Sequence, residues 1–373
     1  MPRLSFKPDA SFFRPRLPKA CHVYRTPRGL QVCGDSRDIL RQLDPESVDL
    51  IVTSPPFALL RQKSYGNEDQ GEYVNWLCEF GQAAFPTLKL TGSFVIDLGG
   101  SYEKGKPVRS LCNFRVLLEF CDRIGYRFAE DFYWFNPAKL PSPIEWVNKR
   151  KMRAKDAVNT VWWFSKEDWP KADVTRVLTP YSDRMKQLLR DPESFYKPAK
   201  RPSGHDISKG FGKNGNLGAI PSNLLQIPNT DSNSHYMRVI KALGEERHPA
   251  RFPLGLPAFF INFLTEPGDL VVDIFSGSNT TGIVAEALGR NWLSIEVDRK
   301  YAALSSVRFL EGKDEDAIRR MLKAIEKGGA EAIDPAVFPE LNGNGKRENQ
   351  EQPAKTKRKR GARNGDSQHQ VLF

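Results

Sequence analysis

Leu270-Val271-Val272-Asp273-Ile274-Phe275-Ser276-Gly277-Ser278-Asn279-Thr280-Thr281-Gly282 is an apolar run that reaches an acid and then opens into a loop of small polar residues. The run 270–274 predicts a buried parallel strand, and the residues from Thr280 onward predict a helix. A Gly/Ser loop at such a junction lets the backbone approach a ligand closely, with helix N–H groups facing the gap. A second junction has the same form, because the apolar run 48–52 leads into Thr53-Ser54-Pro55-Pro56-Phe57. There a hydroxyl and stiff backbone carbonyls lie beside an aromatic face. Together the two junctions predict a nucleotide-like cofactor next to a pocket for a planar base.

The same alternation continues outward. Residues 30–33 predict a short strand closed by Gly34-Asp35, and 38–43 a brief helix. Residues 61–71 are polar and contain glycine, which predicts a mobile loop. Helical periodicity covers 72–90, with Trp76, Phe80, Ala83 and Ala84 on one face and Pro86 near the end. Residues 93–98 predict a strand ending at Gly99-Gly100, and 113–124 a helix. The aromatic runs 126–135 and 157–164 predict an antiparallel edge pair. After 252–264 come the quoted strand, a helix over 280–288, a strand over 291–297 and a helix over 299–310. Strands alternating with helices predict a doubly wound, mostly parallel Rossmann-like α/β sheet.

Between 169 and 247, Lys, Arg, Pro, Gly, Ser and Asn dominate and apolar periodicity fades. This stretch is read as a lobe inserted into one domain, whose halves are 22–168 and 248–312. Residues 338–373 are low-complexity and basic, and a disordered tail is expected.

Composition narrows the partners. The chain has 373 residues, 39% hydrophobic, with a formal net charge of +11 and a pI near 9.3. That favours a polyanionic partner or an anionic membrane surface. No apolar run reaches the ~18 residues of a membrane span, and the start Met1-Pro2-Arg3, without a secretory h-region, leads to the expectation of no secretory leader. The five cysteines (Cys21, Cys33, Cys78, Cys112, Cys121) lack metal-type spacing, so a reduced cytoplasm and no metal are expected.

The chemistry follows from the two loops. The glycine loop lacks both the GxGxxG spacing and the Gly-Lys-Ser/Thr end of a P-loop, and a packing turn reads the same. Asp273 suits an ammonium group, such as the methionine end of S-adenosylmethionine. Glu296 ends the next strand about 20 residues on, where a carboxylate accepts ribose hydroxyls. An exocyclic amine is a weak nucleophile because its lone pair is delocalised into the ring. The Ser54 hydroxyl and the Pro55 carbonyl can accept its two N–H groups, leaving the lone pair aimed at a sulfonium methyl group. Phe57, beyond Pro56, suits stacking on a base rotated out of a duplex.

Asp97 interrupts an apolar run, which costs several kcal/mol unless the carboxylate is paired or faces a cleft. Two readings stay open: it assists Ser54 or takes the amine proton, or it caps the Gly99-Gly100 turn. Trp134, Trp162 and Trp163 read as core, with one of them a candidate wall of a base pocket. The eight Lys/Arg between Arg184 and Lys213 suit phosphate positioning and base-edge readout.

The order Gly34-Asp35, TSPPF, GSFVIDLGG, FYWFNPAKLPSPIEW, VNTVWWFSK, HPARFP and VVDIFSGSNTTG resembles the β-group DNA amino-methyltransferases, and within them the PvuII-type cytosine-N4 enzymes. The resemblance runs from Gly34 to Leu310. It implies a permuted order with the catalytic half first, which folds as one domain when the joined ends are neighbours. It implies methyl transfer from S-adenosylmethionine to cytosine N4 in a short palindromic duplex, with CAGCTG the expected site, inside a bacterial restriction-modification system. It further implies that Ser54 and Pro55 hold the amine, and that Thr53, Asp273, Phe275, Ser276, Gly277, Ser278, Asn279, Thr280 and Thr281 surround the cofactor. Glu296 would take the ribose and Asp35 the adenine amine, while the His248-Pro249-Ala250-Arg251-Phe252-Pro253 segment, Phe252 included, would close the pocket. The partners implied are double-stranded DNA and, functionally, a cognate restriction endonuclease. A monomer on DNA is expected.

Three alternatives are weighed against this. Cytosine-C5 chemistry needs a Pro-Cys nucleophile, whereas Ala20, Val32, Leu77, Leu111 and Phe120 precede the five cysteines. An adenine-N6 enzyme holds its amine by the same logic, usually with Asp in place of Ser54. A non-catalytic DNA-binding relative would have no need of Ser54, Asp273 and Glu296 together.

Overall fold

The protein is known from a computed structural model, which describes residues 16–57, 72–103, 105–191, 218–229, 234–249, 251, 253–328, 331–335 and 338. Strands β1 (His22–Arg25), β2 (Gly29–Cys33), β3 (Val48–Thr53), β4 (Leu88–Leu98), β5 (Arg127–Phe135), β6 (Val158–Ser165), β7 (Leu224–Gln226), β8 (Leu270–Asp273), β9 (Asn291–Glu296) and β10 (Glu331–Ala332) form one sheet. Their order is β10-β1-β2-β9-β8-β3-β4-β6-β5-β7. The ladders β2·β9, β9·β8, β8·β3 and β3·β4 are all parallel. Only β1, β10 and β6 run against the rest. This is the doubly wound, mostly parallel α/β sheet expected.

Alternation along each strand builds two cores. Leu50, Val52, Val95, Val161, Trp163 and Val271 face one layer, and Ile51, Phe94, Ile96, Trp162, Phe164 and Val272 the other. The second layer is covered by α1 (Ser36–Leu40), α2 (Tyr73–Ala84) and α3 (Cys112–Leu118), the last continued by a π-helical turn, Glu119–Ile124. Helix α4 (Asp183–Arg190) buries none of its residues. The first layer is covered by α5 (His235–Leu243), α6 (Gly255–Leu264), α7 (Thr280–Ala287), α8 (Arg299–Ser305) and α9 (Glu315–Glu326).

Three boundaries differ from the sequence reading. The helix expected over 72–90 ends at Ala84, followed by a tight turn, Phe85–Thr87. Pro86 explains this, since it has no N–H to donate and its ring disfavours a helical residue before it. Strand β4 then starts at Leu88 instead of 93, with a bulge between Val48 and Leu50 in its pairing to β3. The pair β5–β6 is antiparallel as read but is not the edge, because β7 pairs in parallel outside β5. Trp134 fastens that strand by donating from its indole nitrogen to the Ile227 carbonyl at 2.8 Å.

Part of the polar stretch 169–247 thus belongs to the main sheet, and Tyr236, Met237 and Ile240 of α5 lie in its core. Residues 192–217, which carry five of the eight Lys/Arg between Arg184 and Lys213, lie outside the described residues. So do the loop 61–71, Phe252 and the tail beyond Phe338. Helix α9 extends the fold past residue 312 through Ile318, Leu322 and Ile325. Among the described residues no helix is long and apolar enough to cross a membrane.

Candidate active site

The parallel strands end on one edge of the sheet, and the chain leaves β8 and β3 for opposite faces, toward α7 and α2. Ligand clefts in open α/β sheets form at such a switch point. A cavity of about 570 Å³ opens there, lined by the ends of β2, β9, β3, β4 and β6. Glu296 on β9 and Asp97 on β4 are three strand spacings apart in the sheet order, about 14 Å, so the cavity has two separate ends.

The first end is built around the loop after β8. Gly277 has φ +48°, and a Cβ there would lie 2.8 Å from the His248 ring, so only glycine fits this turn. Asn279, also left-handed at φ 54°, caps α7 by accepting from the Gly282 N–H at 2.9 Å. It accepts from Ser294 at 2.7 Å and donates to the Tyr24 hydroxyl at 2.9 Å, and these bonds offset its backbone strain. Arg308 donates to the Ser278 carbonyl at 2.6 Å and to its hydroxyl at 2.9 Å. Ser276 accepts from Gln31 at 3.2 Å.

Of the residues expected around the cofactor, Asp35, Phe275, Ser276, Gly277, Ser278, Thr280 and Glu296 line the cavity. Thr53, Asp273, Asn279 and Thr281 lie one layer beneath it. Asp273 accepts from Thr53 at 2.8 Å, from Thr281 at 2.6 Å and from the Phe275 N–H at 3.1 Å. Burial without a cation pushes its carboxyl up to about 6. Its observed partners are thus hydroxyls and a backbone amide of the loop. Glu296 accepts from the Gly277 N–H at 2.7 Å and the Asp298 N–H at 3.0 Å, and burial raises its carboxyl as well. Asp35 caps α1 and pairs with Arg37 at 2.6 Å, which holds its carboxyl below the usual range.

Trp76, Phe80 and Phe275 form an aromatic wall here, with Phe80 and Phe275 ring centroids 4.7 Å apart and Arg37 stacked 5.0 Å over Phe80. The sequence placed Trp76 and Phe80 on one face of a helix and missed their place in the cavity wall. Helical periodicity marks an apolar face, but not which of its residues reach the cavity.

At the second end, Ser54 donates to Asp97 at 3.1 Å, and the Asn159 amide donates to the other Asp97 oxygen at 3.1 Å. Asp97 is 3% exposed, and burial pushes its carboxyl up to about 6. The Asp97 carboxylate is thus paired with the Ser54 hydroxyl and the Asn159 amide. Pro55, Pro56 and Phe57 complete this wall. The Phe57 ring occupies the space where a Gly99 Cβ would stand. Trp134 lines the cavity, whereas Trp162 and Trp163 are core. Asn136, Lys139 and Asn159, which the sequence reading did not single out, also line this end, as do His248, Pro249 and Arg251 from the expected closing segment. No cysteine lines the cavity.

Known proteins are similar to this chain. A family model described as DNA methylase matches residues 48–306. The type II methyltransferase M.PvuII of Proteus hauseri is 57% identical over 307 residues, spanning 82% of this chain and 91% of its own length. The type II methyltransferase M.BglII of Bacillus subtilis is 24% identical over 82% of this chain and 76% of its own. The solved structure of the PvuII DNA methyltransferase (cytosine-N4-specific) superposes with a TM-score of 0.68. It covers 83% of this chain and 97% of its own, at 48% identity in that alignment.

Proposed function

The chain belongs to the DNA methylase family, and from that premise we propose that it is a site-specific DNA methyltransferase acting on cytosine N4. Its substrate is a short palindromic duplex, CAGCTG, and its setting is the cytoplasm of a bacterium with a restriction-modification system. There it works as a monomer whose endonuclease counterpart is a functional partner. The observation that carries this reading is a single cavity with the Ser276–Gly277–Glu296 end and the Ser54–Asp97 end on one sheet edge.

The first end fits S-adenosylmethionine, which supplies an electrophilic methyl group when bound. Both Glu296 oxygens already accept backbone N–H groups, and a carboxylate has lone pairs left for two ribose hydroxyls. The Trp76–Phe80–Phe275 wall accepts a flat purine. The Gly277 turn admits close approach of the backbone, and Asp273 holds the loop in shape from below.

At the other end Ser54 spends its only proton on Asp97, so its lone pairs remain to accept an amine N–H. The Pro55 carbonyl takes the second N–H, and Pro56 stiffens the turn. The amine lone pair is thereby directed across the cavity. Phe57 and Trp134 bound the flat space that an everted base needs. Asp97, with a carboxyl near 6, is poised to help remove the proton that the methylated nitrogen sheds.

The test is nucleoside mass spectrometry of duplex DNA treated with the purified protein and S-adenosylmethionine. N4-methylcytosine is expected, with Ser54→Ala slower by about 3 kcal/mol in the barrier, the usual loss for one positioned hydrogen bond. N6-methyladenine as the main product, or a fully active Ser54→Ala, overturns the assignment.

A further inference from the structure

We propose that Lys139 is a positioning residue that, through the Asn159 carboxamide, holds Asp97 in the state that accepts the Ser54 hydroxyl. This rests on the roles given to Ser54 and Asp97 above. Lys139 lies between β5 and β6 at the second end of the cavity. A local turn sets its backbone: its N–H donates to the Asn136 carbonyl at 3.1 Å, and Lys155 donates to its carbonyl at 3.3 Å. Its ammonium is 3.5 Å from the Asn159 side-chain oxygen. Asn159 cannot be turned the other way, because a carboxylate offers Asp97 no proton to give and the amide must present N–H to it. The carboxamide therefore stands between the cation and the anion with its dipole aligned to both.

The charges around Asp97 make this arrangement asymmetric. On the Lys139 side, Asp156 is bound by Arg109 and, at 2.7 Å, by the Tyr102 hydroxyl. From α2 comes Tyr73, whose buried hydroxyl has no hydrogen-bond partner among the described residues, and which also faces Cys112 of α3. Neither brings positive charge. Ser54 and Asn159 are neutral donors. Among the described residues Lys139 is the cation whose field reaches Asp97, lowering a carboxyl that burial raises. Burial in turn lowers the Lys139 ammonium, and Asp156 and Asp97 oppose that. Loss of the cation favours a protonated Asp97, which donates to Ser54 and turns the hydroxyl proton toward the substrate amine.

The experiment is the pH profile of kcat between pH 5 and pH 9 at saturating S-adenosylmethionine and duplex DNA. It compares wild type, Lys139→Met, Lys139→Gln and Lys139→Arg. Charge removal moves the acid limb up by about half a pH unit or more, which raises the ratio of rates at high and low pH about threefold or more. Lys139→Arg restores the wild-type limb, and Lys139→Gln repeats the Met result should that variant not fold. An unchanged limb in both neutral variants, with only the DNA KM raised, makes Lys139 a plain DNA contact and overturns the proposal. A wild-type protein that forms no N4-methylcytosine instead overturns the functional reading on which it rests.

Discussion

Two buried aspartates show how position in the fold separates identical side chains. Asp97 and Asp273 are both pushed up to about 6 by burial, yet Asp97 lines the cavity and Asp273 lies beneath it. A carboxyl near 6 when folded and near 4 when unfolded binds its proton more tightly in the native state. Its ionisation therefore costs no stability below pH 4, an increasing amount from pH 4 to pH 6, and a constant amount above. About two units correspond to about 3 kcal/mol. Asp97→Asn removes this cost while keeping both hydrogen bonds possible. The expected result is a variant whose stability advantage over wild type grows from pH 4 to pH 6 and then levels off, with methyl transfer impaired throughout. Urea unfolding across that range checks it, and a stability difference independent of pH contradicts it. Asp273 is present in both proteins and cancels in the difference.

The element that most constrains the site is the turn between β8 and α7. Gly277 needs both its left-handed φ and an empty Cβ position facing His248. Gly277→Ala is expected to cost about 1–2 kcal/mol from the backbone alone, with the His248 clash added. It should also weaken S-adenosylmethionine binding, because Glu296 accepts from the same residue's N–H. His248→Ala placed on top should recover the clash part and leave the φ part. Unfolding and calorimetric titration of the two single variants and the double variant measure the coupling. Strict additivity would mean that the ring moves aside at no cost. The β3–Ser54 turn was readable for a related reason, since its two prolines restrict the backbone locally.

On the scale of the whole molecule, the net charge of +11 is spread unevenly along the chain. Eight Lys/Arg fall between Arg184 and Lys213, and another eight against three acids fall in 345–373. Both sets can release phosphate counterions, so DNA affinity should fall steeply between about 50 and about 200 mM salt. Deleting 345–373 should flatten that dependence and leave methylation site-specific, because phosphate contacts position a protein without reading sequence. Fluorescence anisotropy against salt, with methylation mapped on cognate and mismatched duplexes, checks both halves. Loss of site selectivity on truncation would assign the reading to the tail instead of the 169–247 lobe.

The fold and half of the site were legible because they are local. An apolar run, a small-residue turn and a helix in succession prescribe Ser54, Gly277 and Glu296 at strand ends wherever the rest of the chain lies, and the motif order adds their grouping. Asp97 was visible as an acid in an apolar strand, but the choice between a cap and a partner for Ser54 waited on β3 and β4 being neighbours. Trp76, Phe80, Asn159 and Lys139 carry no local signal, since each is ordinary for its helix, strand or loop. Strand order brings them to the cavity, because packing β6 against β4 sets Asn159 beside an acid 62 residues away in the chain. Likewise, Thr53 and Thr281 became partners of Asp273 and not walls of the cavity. Short-range chemistry specifies which groups stand at a junction, but only close packing between distant segments decides which of them face the ligand and which face each other.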